Sequence, residues 1–306
     1  MVFNPKVSIV IPVYNGANFL TEAIDSALSQ SYKYIEIIVI NDGSDDGNET
    51  DKIARSYGDT IQYYDKKNGG VASALNLGIQ KMSGDYFSWL SHDDVYDNKK
   101  IETQIDYLSK RGTKEIITFS NFKQIDSESR VINEIRINKK YLGNIFLTIL
   151  SLTIHGCTLL IPRKCFETMG GFSENIMTVQ DNHMWLKMAK AGYRFEFIPE
   201  FFVKCRIHPQ QTSNRLRDFH KDERDDFFLW AIRYIKNEVK LIQDHLFLIL
   251  INNNAYQAYI ELLKLKYHKN ILSVYRVLFR TAITYLTRLI AFIRKKLKTM
   301  LRNNDE

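Results

Sequence analysis

Two adjacent aspartates, Asp93 and Asp94, end an apolar run in the segment SWLSHDDVYD. Neighbouring carboxylates repel each other and favour water, so placing both at the end of a buried strand costs free energy unless a partner compensates. Paired carboxylates can hold Mg²⁺ or Mn²⁺, because hard divalent cations prefer oxygen ligands. Since a turn needs only one such residue, we expect the pair to serve a ligand.

Polar residues end two other apolar runs of the chain. Tyr14 and Asn15 follow VSIVIPV, and Asn41 and Asp42 end IEIIVIND. Ligands of open parallel sheets bind at the carboxyl ends of the strands, so three polar strand ends predict one binding rim. Ordinary turn chemistry is the alternative, and for Asn15 taken alone it would be sufficient.

The elements that must position this rim alternate between strand and helix. Apolar β-branched runs that stop at turn residues predict strands at VSIVIPVYN, IEIIVINDGS, IQYYD, DYFSWLS and EIITFSNF. The segments between them carry apolar residues at three- and four-residue spacing, which is typical of helices. Four or five strands with helical crossovers predict an α/β fold, a mainly parallel sheet covered on both faces.

The composition indicates a folded domain, with 45% hydrophobic and 25% charged residues. We expect no secretory leader, because the first residues lack a basic region followed by an apolar core. We also expect no membrane span, because no apolar run approaches about 18 residues. The cysteines Cys157, Cys165 and Cys205 are too scattered for a disulfide framework or a thiolate zinc site. These features favour a cytoplasmic protein, and we expect no nucleic-acid partner.

The rim lacks the usual glycine-rich phosphate loops. G-x-G-x-x-G is absent after the first strand, and G-x-x-x-x-G-K-[ST] is absent from the whole sequence. A bound diphosphate would therefore need another counter-charge, which a divalent ion on paired carboxylates can supply. The sequence predicts a nucleoside-diphosphate site that uses Mn²⁺ or Mg²⁺ instead of a glycine cradle.

Four segments together resemble the inverting glycosyltransferases of family 2, which have the GT-A fold. They are VSIVIPVYNGANFLTEAIDSALSQSY, EIIVINDGSDDG, NGGVASALNLGIQKMSGDYFSWLSHDD and GGFSENIMTVQDNHMWLKMAKAGYRFEFIPE. The resemblance implies a catalytic domain over residues 1–215, with a nucleotide-sugar-binding half at 1–122 and an acceptor-binding half at 123–215. It says little about residues 216–306, whose own pattern lacks strand alternation and predicts a helical C-terminal region with a basic amphipathic end.

The resemblance implies an activity as well. The chain would move a hexosyl or N-acetylhexosaminyl group from a UDP sugar to a hydroxyl of a glycan or lipid-linked glycan, in cell-surface polysaccharide or glycoconjugate synthesis. It also implies site residues. Those expected to contact the donor nucleotide are Pro12, Tyr14, Asn15, Asp42, Asn76 and Asp93. Those expected to hold the metal are Asp93, Asp94 and His208, and Asp181 would be the catalytic base.

Several residue assignments remain open at the level of sequence. Ser91 stands where the family usually has the first aspartate of Asp-x-Asp, so either Asp93 or Asp94 could ligate the metal. Asp181 precedes an apolar helical stripe and could instead be an N-cap. His155 could contact the acceptor or simply be packed, and Leu75 replaces an arginine that relatives carry before Asn76.

Two other functions compete with sugar transfer. A nucleotidyltransferase also uses carboxylate-bound Mg²⁺, but generally needs a basic, glycine-rich loop, and PVYNGANFL contains no Lys or Arg. A non-catalytic nucleotide-sugar-binding protein would be expected to lose the base, and Asp181 is present. Both remain alternatives that an assay can separate.

The net charge of +7 is concentrated near the C-terminus, where TRLIAFIRKKLKTMLRN predicts a basic amphipathic helix. Such a helix can lie in a membrane interface with its cations toward anionic lipid head groups. The alternative is a helix that packs its apolar stripe on the protein and exposes its basic face. The first interpretation predicts peripheral association with the inner face of the plasma membrane.

Overall fold

The computed structural model describes residues 3–112, 115–211 and 216–238, and a few further positions up to 262. Contacts divide the chain into two compact units, Met1–Ile235 and Lys236–Glu306. The first unit holds every strand and helix discussed below, and the predicted basic amphipathic helix lies outside the described residues. Among the described residues, no helix combines the length and the apolar character needed to cross a membrane.

The elements of the first unit follow the predicted alternation through the first 111 residues. The strands are β1 (Val7–Val13), β2 (Ile35–Asn41), β3 (Gln62–Asp65), β4 (Tyr86–Trp89), β5 (Val95–Tyr96), β6 (Ile116–Ile125), β7 (Val131–Ile135), β8 (Ile161–Pro162) and β9 (Arg194–Arg206). The helices are α1 (Leu20–Leu28), α2 (Glu49–Ser56), α3 (Gly70–Lys81), α4 (Lys100–Arg111), α5 (Ile145–Leu150), α6 (Arg163–Met169), α7 (Gln180–Lys190) and α8 (Arg217–Tyr234).

The first sheet has five strands in the order β3-β2-β1-β4-β8. The first four run parallel, and β8 is antiparallel to β4. Every residue of β1 and β4 is buried, which is why these strands are continuous apolar runs rather than alternating ones. The predicted α/β fold with a mainly parallel sheet is confirmed.

The segment EIITFSNF, predicted as a further strand of the same sheet, belongs to a second sheet. This sheet has the order β5-β9-β6-β7, and β6 pairs parallel with β9 from Ile116 to Ile125. Strand propensity does not specify a partner, and β9 lies far along the chain. The long pairing with β9 therefore places β6 in the second sheet, and β8 takes the position beside β4.

A buried carboxylate, Glu36, stabilises the amino ends of the first sheet, opposite the predicted rim. It accepts hydrogen bonds from Lys6 Nζ at 2.8 Å, from Ser83 Oγ and N at 2.7 Å each, and from Ser8 Oγ. Burial alone would raise the pKa of Glu36, but these hydrogen bonds outweigh it and lower the pKa to about 2. The ionised form is thus stabilised by folding.

We expect Glu36→Gln to lower the free energy of unfolding by about 2 kcal/mol at pH 7, because an amide cannot accept all of these hydrogen bonds. Since the folded-state pKa lies below the unfolded-state value, the difference from wild type should be complete above about pH 5 and vanish toward pH 2. Urea unfolding across this pH range measures it. A difference that does not change with pH would contradict the assignment. Glu49→Gln is the matched control, because the Glu49 side chain on α2 is exposed.

Candidate active site

The carboxyl ends of β1 and β2 meet, as the predicted rim requires. Asp45 accepts hydrogen bonds from Asn15 Nδ2 at 2.6 Å and from Tyr14 OH at 3.2 Å, and its N–H donates to Asn15 Oδ1 at 2.8 Å. Asn15 adopts a left-handed backbone conformation with φ of 49°. Pro12 lies inside β1, in register with Ile40. Tyr14 and Asn15 are thereby fixed above the loop that follows β2.

Asp42 links the end of β2 to the start of α3. Its Oδ1 accepts from Lys66 Nζ at 2.6 Å and from Gly69 N at 3.0 Å, and its Oδ2 accepts from Gly70 N at 2.7 Å. A carboxylate at a helix N-terminus is stabilised by the unpaired N–H groups and the helix dipole. Asp42 therefore has a structural role here, and Lys66 places at the rim a cation that sequence reasoning missed.

Asp93 meets His208 at the junction of the two sheets. Its Oδ2 lies 3.1 Å from His208 Nε2, and each residue is only 8% exposed. Burial alone would raise the pKa of Asp93, but the hydrogen bond to His208 and the nearby histidines lower it. Residues 115 positions apart in the sequence thus form one polar pair, which the sequence could only suggest by family resemblance.

The neighbouring Asp94 faces a different environment and is 1% exposed. Its Oδ1 accepts from Arg206 N at 3.0 Å, and its Oδ2 accepts from Cys157 Sγ at 3.3 Å. Burial, followed by the charge of Asp93, raises the pKa of Asp94 to about 8. The two adjacent aspartates therefore differ in partner, and Asp94 is part of the packing between the sheets.

Asp94 also belongs to a group that could hold a metal ion. Oxygen, nitrogen and sulfur ligand atoms of Asp94, His155 and Cys205 all lie within 4.8 Å of one another. However, Cys157 N donates to His155 Nδ1 at 3.4 Å, which leaves the proton of the neutral ring on Nε2. That Nε2 lies 3.2 Å from Cys205 Sγ. The ligand atoms are therefore joined by hydrogen bonds in this structure, and a metal ion would have to replace these bonds.

His155, which is hydrogen-bonded to Cys157 and Cys205, is also a predicted acceptor-binding residue, and that role remains a prediction. Its ring packs against Phe122 with a centroid distance of 5.0 Å. Burial lowers the pKa of His155 to about 4, although Asp93 opposes this effect. The imidazole is therefore neutral at physiological pH.

Asp181 lies in the first turn of α7. The N-cap position is Val179, so Asp181 is not the cap residue. Its Oδ1 accepts from Asn182 N at 2.7 Å and from Asn182 Nδ2 at 2.9 Å. Burial raises the pKa of Asp181 to about 6, near the range in which a carboxylate works best as a general base.

Aromatic contacts place α7 beside the end of β4. Phe172 packs edge-on against Trp89 of β4 at 6.2 Å and against Trp185, one turn after Asp181, at 5.8 Å. Trp89 and Trp185 are both buried, so they are core residues rather than exposed platforms for a sugar. This packing connects the helix that carries Asp181 to the strand that leads to Asp93.

Asn76 holds the segment that precedes α7. Its Oδ1 accepts from Phe172 N at 2.7 Å, and its Nδ2 donates to Phe172 O at 3.0 Å and to Glu174 Oε1 at 2.9 Å. A Cβ at Gly171 would lie 2.3 Å from Asn76 Oδ1, so this approach requires glycine. Both polar atoms of the amide are thus hydrogen-bonded within the protein, and its contact with a donor remains a prediction.

The residue that sequence reasoning missed most clearly is Arg206, a fully buried arginine. Its Nε donates to Asp93 O at 3.0 Å, its Nη1 donates to Asp126 O at 2.9 Å, and its Nη2 pairs with Glu22. Charged residues are rarely buried without partners, and nothing in the run FFVKCRIH marks this arginine as buried. Its position two residues before His208, an expected metal ligand, was the available signal that Arg206 lies near the site.

Comparisons with known proteins identify the family of this chain. The family model described as Glycosyl transferase family 2 matches residues 8–170. An uncharacterized glycosyltransferase of Rickettsia prowazekii is 43% identical over 265 residues, covering 83% of this chain and 82% of the relative. A second one, of Rickettsia felis, is 45% identical over 228 residues, and the match spans 37% of that longer relative.

Solved structures share the fold at low sequence identity. The mannosyltransferase PcManGT from Pyrobaculum calidifontis, in complex with GDP-Man and Mn²⁺, has a TM-score of 0.60 at 19% identity, over 93% of this chain and 81% of that one. S. aureus TarS, residues 1–349 in complex with UDP-GlcNAc, has a TM-score of 0.57 at 14% identity, over 85% and 83%. The family match and the rickettsial relative together decide the assignment: this chain belongs to Glycosyl transferase family 2.

Proposed function

We propose that this glycosyltransferase moves a hexosyl or N-acetylhexosaminyl group from a nucleoside-diphosphate donor, in the first place a UDP sugar, to a hydroxyl of a glycan or lipid-linked glycan. The transfer would invert the anomeric carbon and serve cell-surface polysaccharide or glycoconjugate synthesis. The observation that carries the proposal is the pairing of Asp93 with His208 at the rim of the sheet. Solved relatives bound to UDP-GlcNAc and to GDP-Man with Mn²⁺ support a nucleotide-sugar donor.

Asp93 and His208 fit a divalent ion. Two ligands at right angles on an octahedral ion lie about 3 Å apart, given metal–oxygen distances of about 2.1 Å. The separation of 3.1 Å between Asp93 Oδ2 and His208 Nε2, a hydrogen bond in this structure, is compatible with this spacing, and the ion would replace the shared proton. Asp94 is engaged by Arg206 and Cys157, so we assign the ligand role to Asp93 rather than Asp94. The bound ion would neutralise charge on the leaving diphosphate.

Asp181 is the proposed general base. An inverting transfer is a single displacement, in which a carboxylate takes the proton of the acceptor hydroxyl as the hydroxyl oxygen attacks the anomeric carbon. The raised pKa of Asp181 makes it a stronger base than an exposed aspartate, while leaving it ionised at neutral pH. Its Oδ1 is held by Asn182, which orients the carboxylate.

The remaining predicted residues would form the donor side of the site. Pro12, Tyr14 and Asn15 at the end of β1 would line the base and ribose, and Asp42 would contact the base. Since Lys66 holds Asp42 in the free protein, we propose that Lys66 shares or exchanges this contact when the nucleotide binds. Asn76 would act on the donor side chiefly by holding the segment at Phe172.

An assay of product release separates this proposal from its rivals. The purified protein is incubated with a panel of nucleotide sugars, with and without acceptors and Mn²⁺. A transferase releases free nucleoside diphosphate at full rate only with acceptor and forms a glycosylated product. Release of pyrophosphate would identify a nucleotidyltransferase, and binding without any release would identify a non-catalytic protein.

For the metal site, we expect Asp93→Asn to reduce Mn²⁺-dependent transfer by at least about 100-fold while the protein stays folded, because one ligand of the ion is lost. Asp94→Asn should instead lower the free energy of unfolding by about 1–3 kcal/mol, because it disturbs buried hydrogen bonds. The Mn²⁺ concentration that gives half-maximal rate, measured beside thermal unfolding, distinguishes them. An Asp94→Asn enzyme that needs far more Mn²⁺ would contradict the assignment of Asp93.

For the base, we expect Asp181→Asn to lower kcat by about 10²–10⁴-fold with donor binding retained, because an amide cannot accept the proton. In the wild type, kcat should fall as the pH drops below about 6, since protonated Asp181 cannot act as a base. Steady-state kinetics from pH 5 to 8 and donor thermal-shift assays measure both effects. Transfer by Asp181→Asn at a near wild-type rate would require a different base.

The last proposal concerns the location of the enzyme and rests on its C-terminal sequence. We propose that its basic residues hold the enzyme at an anionic membrane surface, each contributing on the order of 1 kcal/mol. They are Arg288, Arg294, Lys295, Lys298 and Arg302. Co-sedimentation should show salt-sensitive binding to anionic but not neutral liposomes, lost after deletion of residues 286–306. Equal binding to both, or binding that survives the deletion, would contradict peripheral association through these basic residues.

A further inference from the structure

A single carboxylate on α8 holds the segment that leads into α7. Glu223 Oε1 accepts from Met177 N at 2.7 Å. Its Oε2 accepts from Thr178 N and Thr178 Oγ1 at 2.6 Å each, and from Val179 N at 3.2 Å. Three successive backbone N–H groups and one hydroxyl thus converge on one side chain 44 to 46 residues further along the chain.

This segment needs such a partner because α7 lacks a cap of its own. The residue at the N-cap position is Val179, and no side chain at that position caps the helix. A helix N-terminus presents unpaired N–H groups and a partial positive charge, both of which favour a nearby anion. Burial alone would raise the pKa of Glu223, but the hydrogen bonds from Thr178, Met177 and Val179 lower it, so the carboxylate stays ionised.

The contact lies two residues before the proposed base. Only Gln180 separates Val179 from Asp181, so the backbone position of residues 177–179 determines where the Asp181 carboxylate lies. The other end of the same loop is held by Asn76 through Phe172 and Glu174. The base-bearing segment is therefore fixed from both ends, from α3 by an amide and from α8 by a carboxylate.

We propose that Glu223 is a positioning residue for Asp181. It would keep the first turn of α7 in the geometry that proton removal from the acceptor requires. The inference rests on the proposed role of Asp181 as the base. It also assigns a function to α8, which lies outside the residues 8–170 that the family model matches. Misplacing a catalytic group by about 1 Å can cost about 100-fold in rate.

Kinetics of Glu223→Ala and Glu223→Gln test the proposal, with Asp222→Asn as a matched control on the same turn, where the side chain is exposed. The assay uses the donor and acceptor with the highest rate in the panel described above. We expect kcat to fall about 10–100-fold in Glu223→Ala and less in Glu223→Gln, which keeps one acceptor oxygen. Donor KM should change by less than about twofold, and Asp222→Asn should match wild type.

Amide hydrogen exchange supplies a readout that does not depend on activity. Exchange at residues 177–179 should accelerate in Glu223→Ala and stay unchanged in Asp222→Asn. In an Asp181→Asn background, adding Glu223→Ala should cause little further loss of kcat, because the residue acts through Asp181. A full additional loss there would overturn the positioning role, and so would unchanged exchange.

Failure of this inference can be told apart from failure of the proposed function. If wild type transfers sugar and Glu223→Ala keeps kcat within about twofold, only the positioning role is wrong. If wild type transfers no sugar with any donor and acceptor, the proposed function is wrong, and the positioning role that rests on it is wrong as well. If Glu223→Ala does not fold, Glu223→Gln is compared with wild type instead. A kcat of Glu223→Gln equal to that of wild type would then contradict the positioning role.

Discussion

A buried guanidinium joins the two sheets at the place where the candidate site forms. Arg206, at the end of β9, donates from its side chain to Asp93 O and from its backbone to Asp94 Oδ1, while its Nη2 pairs with Glu22 on α1. An unpaired buried charge would cost several kcal/mol, so these contacts must form together. Because Arg206 is fixed, His208 two residues later is brought to Asp93.

This arrangement gives two neighbouring aspartates different chemistry. Two carboxylates that share one buried region cannot both ionise cheaply, so their pKa values separate. The pKa of Asp93 is lowered because His208 faces its carboxylate, whereas burial and the charge of Asp93 raise the pKa of Asp94 to about 8. Asp93, paired with His208, is the carboxylate to which we assign the proposed cation, and Asp94 belongs to the hydrogen-bonded packing with Cys157 and Arg206.

The proposed base is positioned by a separate set of contacts. Asn76 and Glu223 fix the two ends of the loop before α7, and Phe172 packs between Trp89 and Trp185. The metal-binding and proton-accepting parts of the proposed site therefore depend on different elements. In the proposed site, a substitution in one set of contacts would leave the other set in place, and α8, which lies beyond the family match, would act through the base alone.

Periodicity and turn residues in the sequence by themselves determined β1 to β4 with α1 to α4, because these features are local. They also located the polar strand ends at Asn15, Asp42 and Asp93, since parallel strands bring their carboxyl ends to one edge. Only the tertiary structure decided that β6 pairs with β9 and that Asp93 rather than Asp94 meets His208. It also decided that the buried Arg206 donates to the backbone of Asp93 and that Glu223 accepts from successive backbone N–H groups before α7. These features depend on partners tens of residues or more apart, and one amino-acid pattern is compatible with many such partners until the chain packs.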